Sequence, residues 1–84
     1  MPDFKVSVIV RMREDLPEPQ GIALERVLER LSYRDIKNIR VGKIIEFTAG
    51  GGTKEEVKKI VEKLANSILS NPIIEDFEIR IEEQ

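Results

Sequence analysis

The stretch Ile36-Lys-Asn-Ile-Arg-Val-Gly-Lys-Ile-Ile-Glu-Phe-Thr-Ala49 lies between two segments with helical spacing and is itself rich in β-branched and aromatic residues, which suit a pleated surface. Its pattern predicts the strand at the middle of whatever sheet the chain forms. Ile39, Val41, Ile45 and Phe47 fall on one face, Arg40, Ile44 and Glu46 on the other, and Lys43 on the apolar side, because successive residues of a strand point to opposite faces. Gly42 separates the two halves. Either one long strand bends or bulges there, or Gly42-Lys43 turns a short hairpin. The bent strand is preferred, since a hairpin would have short arms and no Asn-Gly or Asp-Gly to force the reversal. A strand of that length would overhang a small domain and could share a sheet with a second copy.

On the N-terminal side, Phe4, Val6, Val8, Val10 and Met12 alternate with Lys5, Ser7, Ile9, Arg11 and Arg13, the two-residue period of a strand with one buried face. Pro17 and Pro19 then stiffen a loop. Leu24, Val27, Leu28 and Leu31 follow at helical spacing and make one apolar stripe, expected to be core contact. On the C-terminal side, Gly50-Gly51-Gly52 leads into Thr53, which forms a capping box with Glu56. Val57, Ile60, Val61, Leu64 and Ile68 make the stripe of a second helix, which should stop before Pro72 with Asn71 in the turn. Phe77, Ile79 and Ile81 alternate with Glu78, Arg80 and Glu82 as the last strand. The expected order is β-α-β-α-β, an α+β two-layer sandwich with both helices on one face. If Gly42-Lys43 turns, it becomes the ferredoxin-like β-α-β-β-α-β.

The chain has 84 residues, which is read as a single domain over 1–84, near the size at which one core stabilises a fold only weakly. Self-association is therefore expected. A net charge of −2 argues against a general nucleic-acid binder. No apolar run approaches the ~20 residues of a membrane span, and the N-terminus has no signal-peptide core, so a cytoplasmic protein without membrane partners is expected. The abundance of Glu, Lys, Arg and Ile fits a thermophilic source.

The chain contains no Cys and no His, which removes thiolate nucleophiles, thiolate or imidazole metal sites and the usual proton carrier near neutral pH. Three weaker signals each have a plainer explanation. The glycine run before Thr53-Lys54 could offer backbone N–H groups to an anion, but it lacks the phosphate-loop order and reads better as a flexible connector. Glu75, Asp76, Glu78, Glu82 and Glu83 read as a solvated acidic edge that discourages aggregation, not as a metal site. Arg11, Arg13, Arg40 and Lys43 could form a basic patch, without the aromatics that nucleic-acid stacking needs. No catalytic residue, cofactor or metal is expected.

Three segments together resemble the PurS family, the small subunit of phosphoribosylformylglycinamidine synthase. They are Glu18-Pro19-Gln20-Gly21, Ile39-Arg40-Val41-Gly42-Lys43-Ile44-Ile45-Glu46-Phe47 and Leu69-Ser70-Asn71-Pro72-Ile73-Ile74-Glu75-Asp76-Phe77-Glu78-Ile79. The family usually has Asp where this chain has Glu18 and often Tyr at Phe77, changes that keep charge or ring. The resemblance implies a non-catalytic subunit of an enzyme complex in purine biosynthesis. In that complex ATP and glutamine are used by the large synthetase and the glutaminase, and the small subunit bridges them as a homodimer or tetramer. Gln20, Gly21, Arg40, Gly42, Lys43, Asn71 and Pro72 are its candidate interface or register-setting residues. For Gly42 and Pro72 a purely structural role, as bulge and helix stop, is the simpler reading. A dimeric ferredoxin-like domain that senses a metabolite is the alternative from a different class.

Overall fold

The computed structural model describes residues 3–84. Its elements are β1 (Asp3–Met12), α1 (Pro19–Arg30), β2 (Lys43–Gly50), α2 (Lys54–Leu64), a π turn over Ala65–Leu69, and β3 (Glu75–Glu83). The expected α+β, β-α-β-α-β order holds, and no hairpin turns at Gly42-Lys43.

The alternating pattern of β1 decides the sheet. Phe4, Val6, Val8 and Val10 are all buried on one face, and β1 pairs antiparallel with β2 on one side and β3 on the other. Val8 lies between Ile45 and Ile79, and Val6 between Phe47 and Ile81, so the apolar residues of three strands form rows across one face. The sheet order is β2-β1-β3. This corrects the placing of 36–49 at the middle: its strand opens only at Lys43, lies at an edge, and leaves residues 36–42 outside the ladder. A central strand must satisfy both ladders. Only β1 has an uninterrupted apolar face long enough to do so.

One helix covers that face. Val57 and Val61 of α2 and Ala65 of the π turn close the core over β1, with Ile45, Phe47, Ala49, Leu69, Phe77, Ile79 and Ile81 packed around them and only partly buried. The capping box forms as expected: Glu56 N–H donates to Thr53 Oγ1 (3.2 Å), and Thr53 N–H donates to Glu56 Oε1 (3.4 Å). The buried stripe is narrower than expected, because Val57 and Val61 alone face the centre of the sheet while Leu64 is half-buried and Ile60 is 59% exposed, and the end of the helix departs further. Ser70 N–H reaches back five residues to the Ala65 carbonyl (3.0 Å), and the extra residue in that turn rotates everything beyond it. Leu69 therefore packs on the core, while Ile68, which an unbroken α-helix would bury, is 73% exposed.

The larger departure concerns α1. Its stripe is not core contact: Leu24, Val27 and Leu31 are exposed, Leu31 to 62%, and none belongs to the buried cluster. Only α2 lies on the sheet, so the expected pair of helices on one face is not present within the protomer. The molecule is accordingly long, 53 × 27 × 14 Å, with a radius of gyration of 16.6 Å, against about 12 Å for a compact chain of this length. Helix α1 ends in a complete cap. Ser32 N–H donates to the Glu29 carbonyl and Tyr33 N–H to the Leu28 carbonyl, with Ser32 in the left-handed region at φ 70° where glycine is usual.

The π turn yields a direct test. Leu69→Ala is expected to destabilise the chain by about 2 kcal/mol, as loss of packed core atoms does, while Ile68→Ala stays within about 0.5 kcal/mol. Urea midpoints of the two variants check this, and the opposite ranking would restore the unbroken helix.

Candidate functional site: a joint where the motifs meet

The segments Glu18–Gly21 and Ile39–Lys43, 18 or more positions apart in the chain, come together where α1 leaves the sheet. Glu18 is the N-cap of α1 and is only 7% exposed. Its carboxylate accepts from the N–H groups of Gln20 (3.0 Å) and Gly21, and across the joint from Val41 N–H (2.9 Å). One side chain thus satisfies two of the N–H groups that a helix start leaves unpaired and fixes the returning strand of chain beside them. Glu is not a favoured cap residue, so this role does not announce itself in the sequence.

Gly21 permits the approach. A methyl group there would fall inside the Ile39 carbonyl, so only glycine lets the two backbones touch. One turn further on, Asn38 N–H donates to Glu25 Oε1 (2.7 Å), with Asn38 itself left-handed at φ 59°. Helix α1 and residues 38–41 consequently run together as one arm.

Arg40 and Gly42 attach the arm to the sheet. The Arg40 guanidinium donates through Nη2 to the carbonyls of Arg13 (2.9 Å) and Leu16 (2.7 Å), both in the loop that follows β1. Gly42 lies against the end of β1, where an added Cβ would sit 2.7 Å from the Val10 carbonyl oxygen. The third segment reaches the same place, since Arg13 N–H donates to the Ile74 carbonyl (2.8 Å). Asn71 builds that turn: its Oδ1 accepts from Ile73 N–H (3.2 Å) and its carbonyl from Glu75 N–H (2.7 Å), the local bonding that favours Asn in turns.

Of the seven candidate residues, Gly21, Arg40 and Gly42 are therefore brought together in the joint. Lys43 is exposed beside them at the start of β2. Gln20 is exposed on the first turn of α1, and Asn71 and Pro72 are exposed in the turn before β3. Glu18 and Arg13, which hold the joint, were not among the candidates. An open cleft of about 510 Å³ borders it, lined by Arg11, Arg13, Asp15, Arg40, Asp76 and Glu78 among others. Its charges are largely used internally: Arg11 pairs with Glu78 (3.6 Å) and Arg13 with Asp15 (3.5 Å). Among the described residues no group of His, Cys, Asp or Glu is arranged to hold a metal ion.

Gly50 ends β2, and Gly51 and Gly52 link it to the Thr53 cap of α2. At the start of α2 the N–H groups of Thr53 and Glu56 are engaged by each other's side chains.

Comparison with known proteins now decides the family. Residues 5–83 match the model of the family described as PurS, phosphoribosylformylglycinamidine (FGAM) synthase. The chain belongs to the PurS family. Among its relatives, the PurS subunit of FGAM synthase from Thermotoga maritima is 35% identical over 80 residues, covering 95% of this chain and 98% of the relative. That of Methanocaldococcus jannaschii is 32% identical over 79 residues, covering 94% and 95%. Among solved structures, a chain of PurLQS from T. maritima superposes with a TM-score of 0.88 at 34% identity, covering 98% of this chain and all of that one. The PurS subunit from the same organism gives 0.85 at 33% identity, covering 96% and 93%. The resemblance carried by the three segments is thereby established, and the purine-biosynthesis assignment with it.

Two outcomes test the joint. Burial would raise the Glu18 pKa, but the N–H groups of Val41, Gln20 and Gly21 and the charge of Arg40 outweigh it and hold the carboxyl below the ordinary value of 4.5. A folded-state value below the unfolded one contributes stability that is present in full above the unfolded pKa and is lost as pH falls through the folded one. The stability difference between the wild type and Glu18→Gln should thus be constant above about pH 4.5 and shrink in stronger acid, as read from urea midpoints at stepped pH. Gly21→Ala should destabilise the arm by about 2 kcal/mol or more, because the methyl group meets backbone that cannot move aside. Accelerated exchange of the Val41 and Asn38 amides would show it.

Proposed function

We propose that this chain is the non-catalytic assembly subunit of an FGAM synthase, bridging a glutaminase and an ATP-dependent synthetase so that ammonia from glutamine is delivered without crossing bulk water. The observation that carries this reading is the match along nearly the whole chain to a component of the PurLQS assembly. The residues agree with it: a chain without His or Cys has neither the thiolate that a glutaminase nucleophile would use nor the usual base, and the best-built part of its surface is a mechanical joint.

The same reading includes self-association, as a homodimer or a higher assembly. Each protomer has an amphipathic helix with its stripe uncovered and a three-stranded sheet face that one helix covers only in part. The two deficits match. Leu24, Val27, Leu28 and Leu31 of one copy can cover Ile45 and Phe47, or Phe77 and Ile79, of the other, and the exchange returns in kind, as twofold interfaces do. Apolar area of this extent left in water is a mark of an interface.

Reconstitution separates bridging from chemistry. With purified synthetase and glutaminase, omitting this chain should lower amidine formation from glutamine at least about tenfold, while formation from added ammonium salts is unchanged, since free ammonia bypasses delivery. Undiminished turnover from glutamine in its absence would refute the bridge.

A further inference from the structure

We propose that Glu18 is a positioning residue whose carboxylate, together with the Gly21 seat and the Arg40 guanidinium, sets the angle of the α1 arm to the sheet and so presents the arm's apolar stripe, already oriented, to a second copy. The inference rests on the self-association proposed above and names the device that makes it specific.

Three features point to this role and not to ordinary capping. The carboxylate spans the joint, taking the N–H groups of Gln20 and Gly21 on the helix and of Val41 on the segment that leads into β2. Arg40, next to Val41 in the chain, holds the other side through the carbonyls of Arg13 and Leu16. The helix is thereby tied both to the strand that follows it and to the loop that precedes it. Finally, α1 has almost nothing else to hold it, because its stripe touches no buried core. An arm without the joint would sample many directions, and a partner would have to restrict it on binding; fixing it beforehand removes that entropic loss.

The chain has no cysteine, so Arg30→Cys and Glu82→Cys place two spin labels uniquely, one at the arm's end and one on β3. Labelled chain diluted in unlabelled chain reports the distance within one copy by pulsed electron resonance, and sedimentation equilibrium of the same variants reports self-association. We expect one narrow distance for otherwise wild-type protein. Glu18→Ala should broaden it and weaken self-association by about tenfold, the loss expected when preorganisation is removed. Glu18→Asp should restore both, because a carboxylate is what the joint requires. Arg40→Ala, which leaves the N-cap intact, should broaden the distance as well and guards against a capping defect alone. A narrow distance in both alanine variants would overturn the proposal, as would a broadened arm that associates as tightly as wild type. A wild-type chain that stayed monomeric at every concentration would instead refute the oligomer, and the narrow distance would still distinguish that result from a failed joint.

Discussion

One helix on three strands is the constraint from which the rest of this molecule follows. A helix with its side chains is about 10 Å across, and strands lie about 4.8 Å apart, so α2 closes fully over β1 and only partly over its neighbours. The burial follows that geometry. Phe4, Val6, Val8 and Val10 are lost from solvent, whereas Ile45 and Phe47 on one side and Phe77 and Ile79 on the other are half-covered. Two-layer folds of this kind ordinarily supply a second helix for the remaining width. Here that helix exists, has the right stripe, and is held away from its own sheet.

What holds it away is polar and local. Glu18, Gly21, Arg40 and Gly42 engage backbone groups, while Asn38 gives its own backbone N–H to the Glu25 carboxylate, and backbone groups do not vary with the side chains around them. Such a joint can stay rigid at the surface, where an apolar hinge of the same size would not. The division of labour is clear: α2 and the sheet make the folded body, the joint gives direction, and the α1 stripe is what is offered.

Much of this was legible in the amino acids. The alternation of β1 and β3, the Thr53–Glu56 cap and the turn at Asn71 are all local patterns whose cause lies within a few residues, and each formed as read, whereas the stripe of α2 held only at Val57 and Val61, with Leu64 half-buried and Ile60 and Ile68 exposed. The misreadings share a reason. Alternation in 36–49 says that a strand forms but not which strand ends at the centre, and β1 took that place because its apolar face runs unbroken over its whole length. The stripe of α1 marks an apolar face without saying whether its own sheet will cover it, and it does not. The π turn, an insertion in hydrogen bonding and not in sequence, leaves Ile68 and Leu69 looking interchangeable. Glu18 was hidden because its partner Val41 is 23 positions away and because the residue type is not one that usually caps. The resemblance to PurS picked out its segment through Gln20 and Gly21, whose N–H groups the structure places against the Glu18 carboxylate.

The central claim is that the uncovered face of α1 belongs on another copy of this chain. Isotope-filtered nuclear Overhauser spectra on a mixture of labelled and unlabelled protein measure it most directly, because they report only contacts between copies. The account predicts cross-peaks from the methyl groups of Leu24, Leu28 or Leu31 in one copy to the rings of Phe47 or Phe77 in another. Finding those methyl groups against the rings of their own chain, or against no ring at all in an assembled oligomer, would contradict it.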